Sequence, residues 1–74
     1  MINVRDEQYL IKFGKHLRKI RESQSLSQEK LSIMADISEN QIYNLENGKN
    51  NCTICTLKVI AEALNIEPKD LLDF

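Results

Sequence analysis

The chain reads as a compact, all-α domain of five helices. Three observations predict this. Apolar residues between positions 6 and 23 recur every three to four residues. Further on, one local pattern occurs four times: a hydrophobic residue, a helix-capping residue, and a second hydrophobic residue five positions after the first. No alternating, β-branched-rich run competes for a strand. With 74 residues the chain holds one domain and one modest core, so 1–74 is taken as a single unit with a short N-terminal extension at 1–6.

Helix 1 is predicted over about 6–23, with Leu10, Phe13, Leu17 and Ile20 as its core face. Gly14 lies inside it at a cost of about 1 kcal/mol relative to Ala. Close approach of another backbone explains that, or simply tolerated strain.

The four later helix starts follow from the recurring pattern. Its hydrophobic pairs are Leu26 with Leu31, Ile37 with Ile42, Cys52 with Leu57, and Ile66 with Leu71, each placed as a hydrophobic staple. Between them stand the caps Ser27, Ser38, Thr53 and Glu67. The first three are favoured N-cap types, and Ser38 with Gln41 also fits a capping box. Glu67 is a weak cap, but Pro68 after it suits the first helical position.

Helix 2 covers about 28–35 and buries Leu31 with Met34 or Ala35. The chain must then reverse, and Asp36 is one of the few non-glycine types that tolerates the left-handed conformation. Helix 3 begins near Ser38 and stops at Asn47-Gly48, where glycine suits the helix exit. After the polar loop 49–51, helix 4 covers about 54–64 and offers Ile54, Leu57, Ile60 or Ala61, and Leu64 to the core. Helix 5, about 68–73, carries Leu71, Leu72 and, just beyond it, Phe74.

Composition narrows the function classes. No run of 18 or more apolar residues suggests a membrane span, and no signal peptide is evident, so a cytoplasmic protein without membrane attachment is expected. Cys52 and Cys55 make no disulfide framework. A single CxxC with one histidine is no zinc site, and a redox CxxC lacks its βαβ context. Both are read as reduced thiols, Cys52 as a small apolar residue under the entry to helix 4. Net charge is −1, which argues against a non-specific polyanion binder. Residues 1–30 nevertheless carry a net +3 and residues 31–74 a net −4, the basic excess lying at Lys12, Lys15, Arg18, Lys19 and Arg21. That stretch either meets phosphates or forms a solvated helix face.

Helix 3 holds the functional signal. Projected at about 100° per residue, Ile42 and Leu45 fall on one side, while Asn40, Tyr43, Asn44 and Asn47 share a face roughly 100° wide opposite them. Asparagine and tyrosine are poor helix formers with little reason to be there for stability. Amides and a phenol suit the reading of hydrogen-bond patterns. Glu46 projects nearer the inward side, where a carboxylate needs a cation.

These residues resemble a known family. FGKHLRKIRESQSLSQEKLSIMADISENQIYNLENGKN followed by TICTLKVIAEALNIEPKDLL is similar to the phage-repressor and Cro type of helix-turn-helix DNA-binding domain, the XRE-like family, across about 10–72. The carriers are the apolar-G-x-x-apolar-R-x-x-R pattern of Phe13 to Arg21, the LSQEKL entry to helix 2, the LENGK exit from helix 3, and TLKVIAEAL. Asp36 and Cys52 depart from the family's frequent Gly and Pro.

The resemblance implies a lambda-repressor-like fold with its helix-turn-helix at helices 2 and 3, core 27–47, and helix 3 in the DNA major groove. Base readout then falls to Glu39, Asn40, Tyr43 and Asn44. Asn40 and Asn44 suit bidentate pairing with adenine, and Glu39 either accepts from a cytosine amino group or only stabilises the helix dipole. Phosphate contacts fall to Gln28, Ser38, Asn47, the backbone at Gly48, and Lys49. Arg21 is implied as the cation for Glu46, a structural pair tying helix 1 to helix 3.

The function expected is a sequence-specific DNA-binding transcriptional regulator, a homodimer on a pseudo-palindromic double-stranded operator with half-sites about one helical turn apart. Ile66, Leu71, Leu72 and Phe74 are its dimer surface, or else they close the core beneath helix 5. The alternative is an antitoxin-like or anti-repressor module that holds another protein on the same scaffold. No acid, base and nucleophile constellation can be assembled around His16, the single histidine, so neither an enzyme nor a cofactor, metal or small-molecule ligand is expected. His16 is read as a surface residue.

Overall fold

The computed structural model describes residues 5–74. The extension at 1–6 therefore falls mostly outside the described residues. Among the described residues four α-helices, α1 (Glu7–Ser23), α2 (Gln28–Ala35), α3 (Glu39–Glu46) and α4 (Ile54–Ala63), are followed by a 3-10 helix (Pro68–Leu72). α1 packs on α3, α2 packs on both α3 and α4, and the 3-10 helix closes the far side against α4 and α1. No helix among the described residues is long and apolar enough to cross a membrane.

Each α-helix begins on a side-chain cap. Asp6, Ser27, Ser38 and Thr53 accept from the backbone N–H of Tyr9, Lys30, Gln41 and Thr56, at 3.0 to 3.1 Å. Such a cap contributes about 1 kcal/mol. Among the described residues only the serine half of the Ser38–Gln41 box is closed. At the 3-10 helix the reciprocal half is made, the Asp70 carboxylate accepting from the Glu67 N–H at 3.0 Å.

Each α-helix ends on a left-handed residue: Ser25, Asp36, Gly48 or Asn65, with φ between 57° and 68°. In every case its N–H and that of the next residue return to carbonyls of the last turn, a Schellman closure. At three of these exits the next residue is apolar, namely Leu26, Ile37 and Ile66, and each packs against the core. These three are also the first members of the staples that start the next element. One side chain thus stops one helix and aims the next.

The core comprises Phe13, Leu17, Leu31, Ala35, Ile42, Leu45, Ile60, Ala61, Leu64 and Leu71, with Ile20, Cys52, Leu57 and Ile66 partly buried around it. Between Met34 and Ala35, Ala35 is the residue buried; both Ile60 and Ala61 are. Gly14 sits where α1 crosses the end of α3, and a Cβ there would fall 2.5 Å from the Leu45 and Glu46 carbonyl oxygens. The glycine is a close-approach residue.

Three expectations need correction. The fifth helix is a 3-10 segment ending at Leu72: the five residues Pro68–Leu72 close i→i+3 bonds, such as Asp70 N–H to Glu67 O (2.9 Å), in place of i→i+4 ones. Ile54 is not core: it is 84 % exposed. As the first residue of α4 it precedes the buried stripe, which begins at Leu57, and it stands on the rim of a groove shared with Tyr9, Leu10, Phe13 and Leu72. His16 is half-buried rather than a free surface residue, since its Nε2 donates to the Asp70 carbonyl (2.8 Å) and its ring lies 5.7 Å from that of Phe74.

Candidate nucleic-acid interface

The inward side of α3 is locked by packing and by charge. Ile42 and Leu45 enter the core, and Glu46 follows with its side chain only 1 % exposed. Arg21 reaches it bidentately, Nε to Oε2 at 2.6 Å and Nη2 to Oε1 at 2.9 Å, while Arg21 Nη1 donates to the Leu26 carbonyl at 2.7 Å. The hydrogen bonds to Glu46 are the largest influence holding the guanidinium above its usual pKa, against the opposing effect of burial. A charge this deep is tolerable because each guanidinium nitrogen and each carboxylate oxygen has a hydrogen-bond partner. The pair fixes the end of α3 to α1 and, through Leu26, to the start of α2.

The outward side stays outside the core. Glu39, Asn40 and Tyr43 are exposed and Asn44 is half-buried. With Gln28, the first residue of α2, the residues Glu39, Asn40 and Tyr43 line a shallow open depression between the two helices. Gln28 is half-buried, and its Nε2 donates to Glu46 Oε1 at 3.0 Å. The Ser38 hydroxyl oxygen caps α3 and retains its proton to donate.

At the other end of α3 the geometry divides the expected phosphate-contact residues. Asn47 is the helix cap rather than a helical residue, and its amide donates to the Tyr43 carbonyl at 2.8 Å. Gly48 is buried under Ile11, and its N–H already closes the helix on Leu45 O. That leaves Gly48 as the turn that aims the loop, not as a donor. Lys49 lies beside the outward face, its Nζ 5.2 Å from the centre of the Tyr43 ring, a cation–π contact. Arg5 donates to the Lys49 carbonyl at 2.7 Å, tying the start of the chain to this loop.

The residues expected at a dimer face separate as well. Leu71 is fully buried in its own core and offers no surface, and Ile66 is half-buried against it. Leu72 and Phe74 are each 45 % exposed. The Phe74 ring lies tilted against that of Tyr9, centroids 5.0 Å apart, and Tyr9 with Leu72 and Ile54 frames the apolar groove. Sequence reasoning missed Tyr9 and Ile54 here. The available signal for Ile54 was its place immediately behind a helix cap, ahead of the first buried turn.

Cys52 lines the same groove, and burial pushes its thiol above the ordinary value, whereas Cys55 is exposed. Among the described residues no cluster of His, Cys, Asp and Glu is able to hold a metal ion.

The arrangement therefore consists of two helices at a fixed angle, an amide-rich face presented outward, and hydrogen-bond donors at each end of that face. Known proteins share the fold. Residues 14–73 match the family described as a helix-turn-helix domain. The control protein C.BamHI of Bacillus amyloliquefaciens is 43 % identical over 63 residues, covering 84 % of this chain and 78 % of that protein. The crystal structure of the restriction-modification controller protein C.AhdI from Aeromonas hydrophila superposes with a TM-score of 0.83 at 35 % identity, over 84 % of this chain and 94 % of that one. The controller C.Esp1396I shares the fold, at a TM-score of 0.82 and 24 % identity over 92 % of this chain and 88 % of its own. This chain belongs to the helix-turn-helix family, of the XRE-like type.

Proposed function

We propose that this DNA-binding transcription regulator acts as a homodimer on a pseudo-palindromic operator, with α3 lying in the major groove of each half-site. The observation that carries the reading is the division of α3 into a locked face and a free one. Ile42, Leu45 and Glu46 hold the helix, and Asn40, Tyr43 and Asn44 are left to meet base edges. Asn40 and Asn44 have the donor–acceptor pair that complements adenine, and the Glu39 carboxylate suits the amino group of cytosine. Gln28 and Ser38 on one flank, and Asn47 and Lys49 on the other, supply phosphate contacts that fix the register.

Dimerisation is assigned to the apolar surface of Leu72, Phe74 and the half-buried Ile66, extended by Ile54 and Tyr9. A lone domain with few cations gains affinity chiefly by engaging two half-sites at once. Likeness to a control protein and to a restriction-modification controller favours control of a restriction-modification operon over a phage or host target.

Selection from a randomised DNA pool tests the readout. The wild type should enrich a two-fold-related sequence, and Asn40→Ala with Asn44→Ala should lose preference at specific positions while staying folded. If the double variant enriches the same sequence as strongly, these residues do not read bases. Sedimentation of Ile54→Glu tests the dimer surface, with a shift to monomer expected and an unchanged dimer excluding that assignment.

A further inference from the structure

We infer that Glu46 is a positioning residue for DNA: through Gln28 the buried ion pair sets the orientation of the phosphate-contacting amide at the start of α2. The inference rests on the DNA-binding reading above and goes beyond the pair's role as a clamp.

A carboxylate can only accept hydrogen bonds, so Glu46 selects one of the two orientations of the Gln28 amide. Its Oε1 takes one N–H of Gln28 Nε2 at 3.0 Å and Arg21 Nη2 at 2.9 Å, so the same oxygen serves the clamp and the amide. Arg21 in turn fixes Glu46 from two directions. The Gln28 side chain is thus anchored at its tip by a group that cannot move without breaking the α1–α3 contact. Its nitrogen keeps a second N–H. Phosphate oxygens accept and do not donate, so that remaining N–H is the group a phosphate requires, beside the depression that Gln28 shares with Glu39, Asn40 and Tyr43.

An unanchored glutamine would divide its time between two amide orientations and lose side-chain freedom on binding DNA. With Glu46 in place the donor is presented before DNA arrives. The Arg21–Glu46–Gln28 chain also links α1, the end of α3 and the start of α2, so displacement of α3 would be felt at the phosphate contact.

The test is a double-mutant cycle on DNA affinity, using the duplex enriched by the wild-type protein. Glu46→Gln is measured in the native chain and in a Gln28→Met background, with folding of each variant checked by circular dichroism. Positioning through Gln28 predicts that Glu46→Gln weakens binding about tenfold in the native chain, the scale of one hydrogen bond to a charged group, and has little further effect once Gln28 is Met. Equal losses in both backgrounds would overturn the inference.

Nuclear magnetic resonance of the wild type supplies a second arm if Glu46→Gln fails to fold. The two Gln28 side-chain N–H signals should be well separated in the free protein, one protected from exchange, and the other should shift on adding the duplex. Two fast-exchanging signals at random-coil positions would also overturn it. Should the wild type enrich no duplex at all, the DNA-binding reading fails first, independently of this link.

Discussion

Gly14→Ala is the most direct test of how α1 and α3 hold each other. The new Cβ falls 2.5 Å from two backbone oxygens, those of Leu45 and Glu46, about 1 Å inside van der Waals contact. Neither oxygen belongs to a side chain that can turn away, so α1 itself must recede by about that distance. The Arg21–Glu46 bonds, now 2.6 and 2.9 Å, bridge the same two helices and stretch toward the limit of hydrogen bonding at about 3.5 Å. Helix propensity favours the alanine by about 1 kcal/mol. Overpacking typically costs about 1–3 kcal/mol, and weakening a buried charged hydrogen bond adds about 1–2 kcal/mol. The steric side wins, leaving a net loss of about 2 kcal/mol, or a midpoint lower by about 8–16 °C for a domain of this size. Thermal and urea denaturation followed by circular dichroism measure it. A variant as stable as the wild type would show that propensity dominates and that the approach of α1 to α3 tolerates a methyl group.

The ion pair and the thiols allow further tests. Arg21→Met alone should lose about 3–5 kcal/mol because it strands Glu46 in the interior, and adding Glu46→Leu should recover most of that in urea denaturation. A double variant no more stable than the single one would remove uncompensated charge as the cause. For the cysteines, iodoacetamide at mildly alkaline pH should label the exposed Cys55 well before Cys52, whose half-buried thiol is held protonated by desolvation. Peptide mapping over time reads the order. Because folding raises the Cys52 value, the stability this lends is complete below the ordinary thiol pKa and falls away as pH rises through the raised one. Cys52→Ser should remove that alkaline component.

Periodicity and capping chemistry made most of the fold legible. Leu10, Phe13, Leu17, Ile42 and Leu45 are buried where helical spacing puts them, and Ser27, Ser38 and Thr53 cap the helices they precede. What escaped depends on tertiary neighbours. Spacing placed Ile54 on the stripe of Leu57 and Ala61, but it stands one turn before anything packs over α4. Leu71 and Leu72 are adjacent apolar residues, and only the docking of the 3-10 helix decides that the first is buried and the second half in solvent. At the candidate interface, the outward position of Asn40 and Tyr43 follows from helical projection alone. The bond from Gln28 to Glu46 joins residues 18 positions apart, on helices whose mutual angle no periodicity encodes.

The helix exits show where the chain gives up a local regularity. Leu26, Ile37 and Ile66 each follow a left-handed residue, cover the end of one helix and staple the start of the next. At the exit of α3 the same backbone closure forms around Gly48, yet the following residue is Lys49, and the loop runs on to Cys52 before the next staple begins. An apolar residue there would have joined α3 to α4 as compactly as the other junctions are joined. Lysine gives up that packing and sets a cation against Tyr43 at the edge of the outward face. Local rules that hold at three junctions and fail at the fourth point to a demand other than stability at the fourth. The phosphate contact proposed for Lys49 is such a demand, and it falls at the end of the helix whose outward face is built of amides.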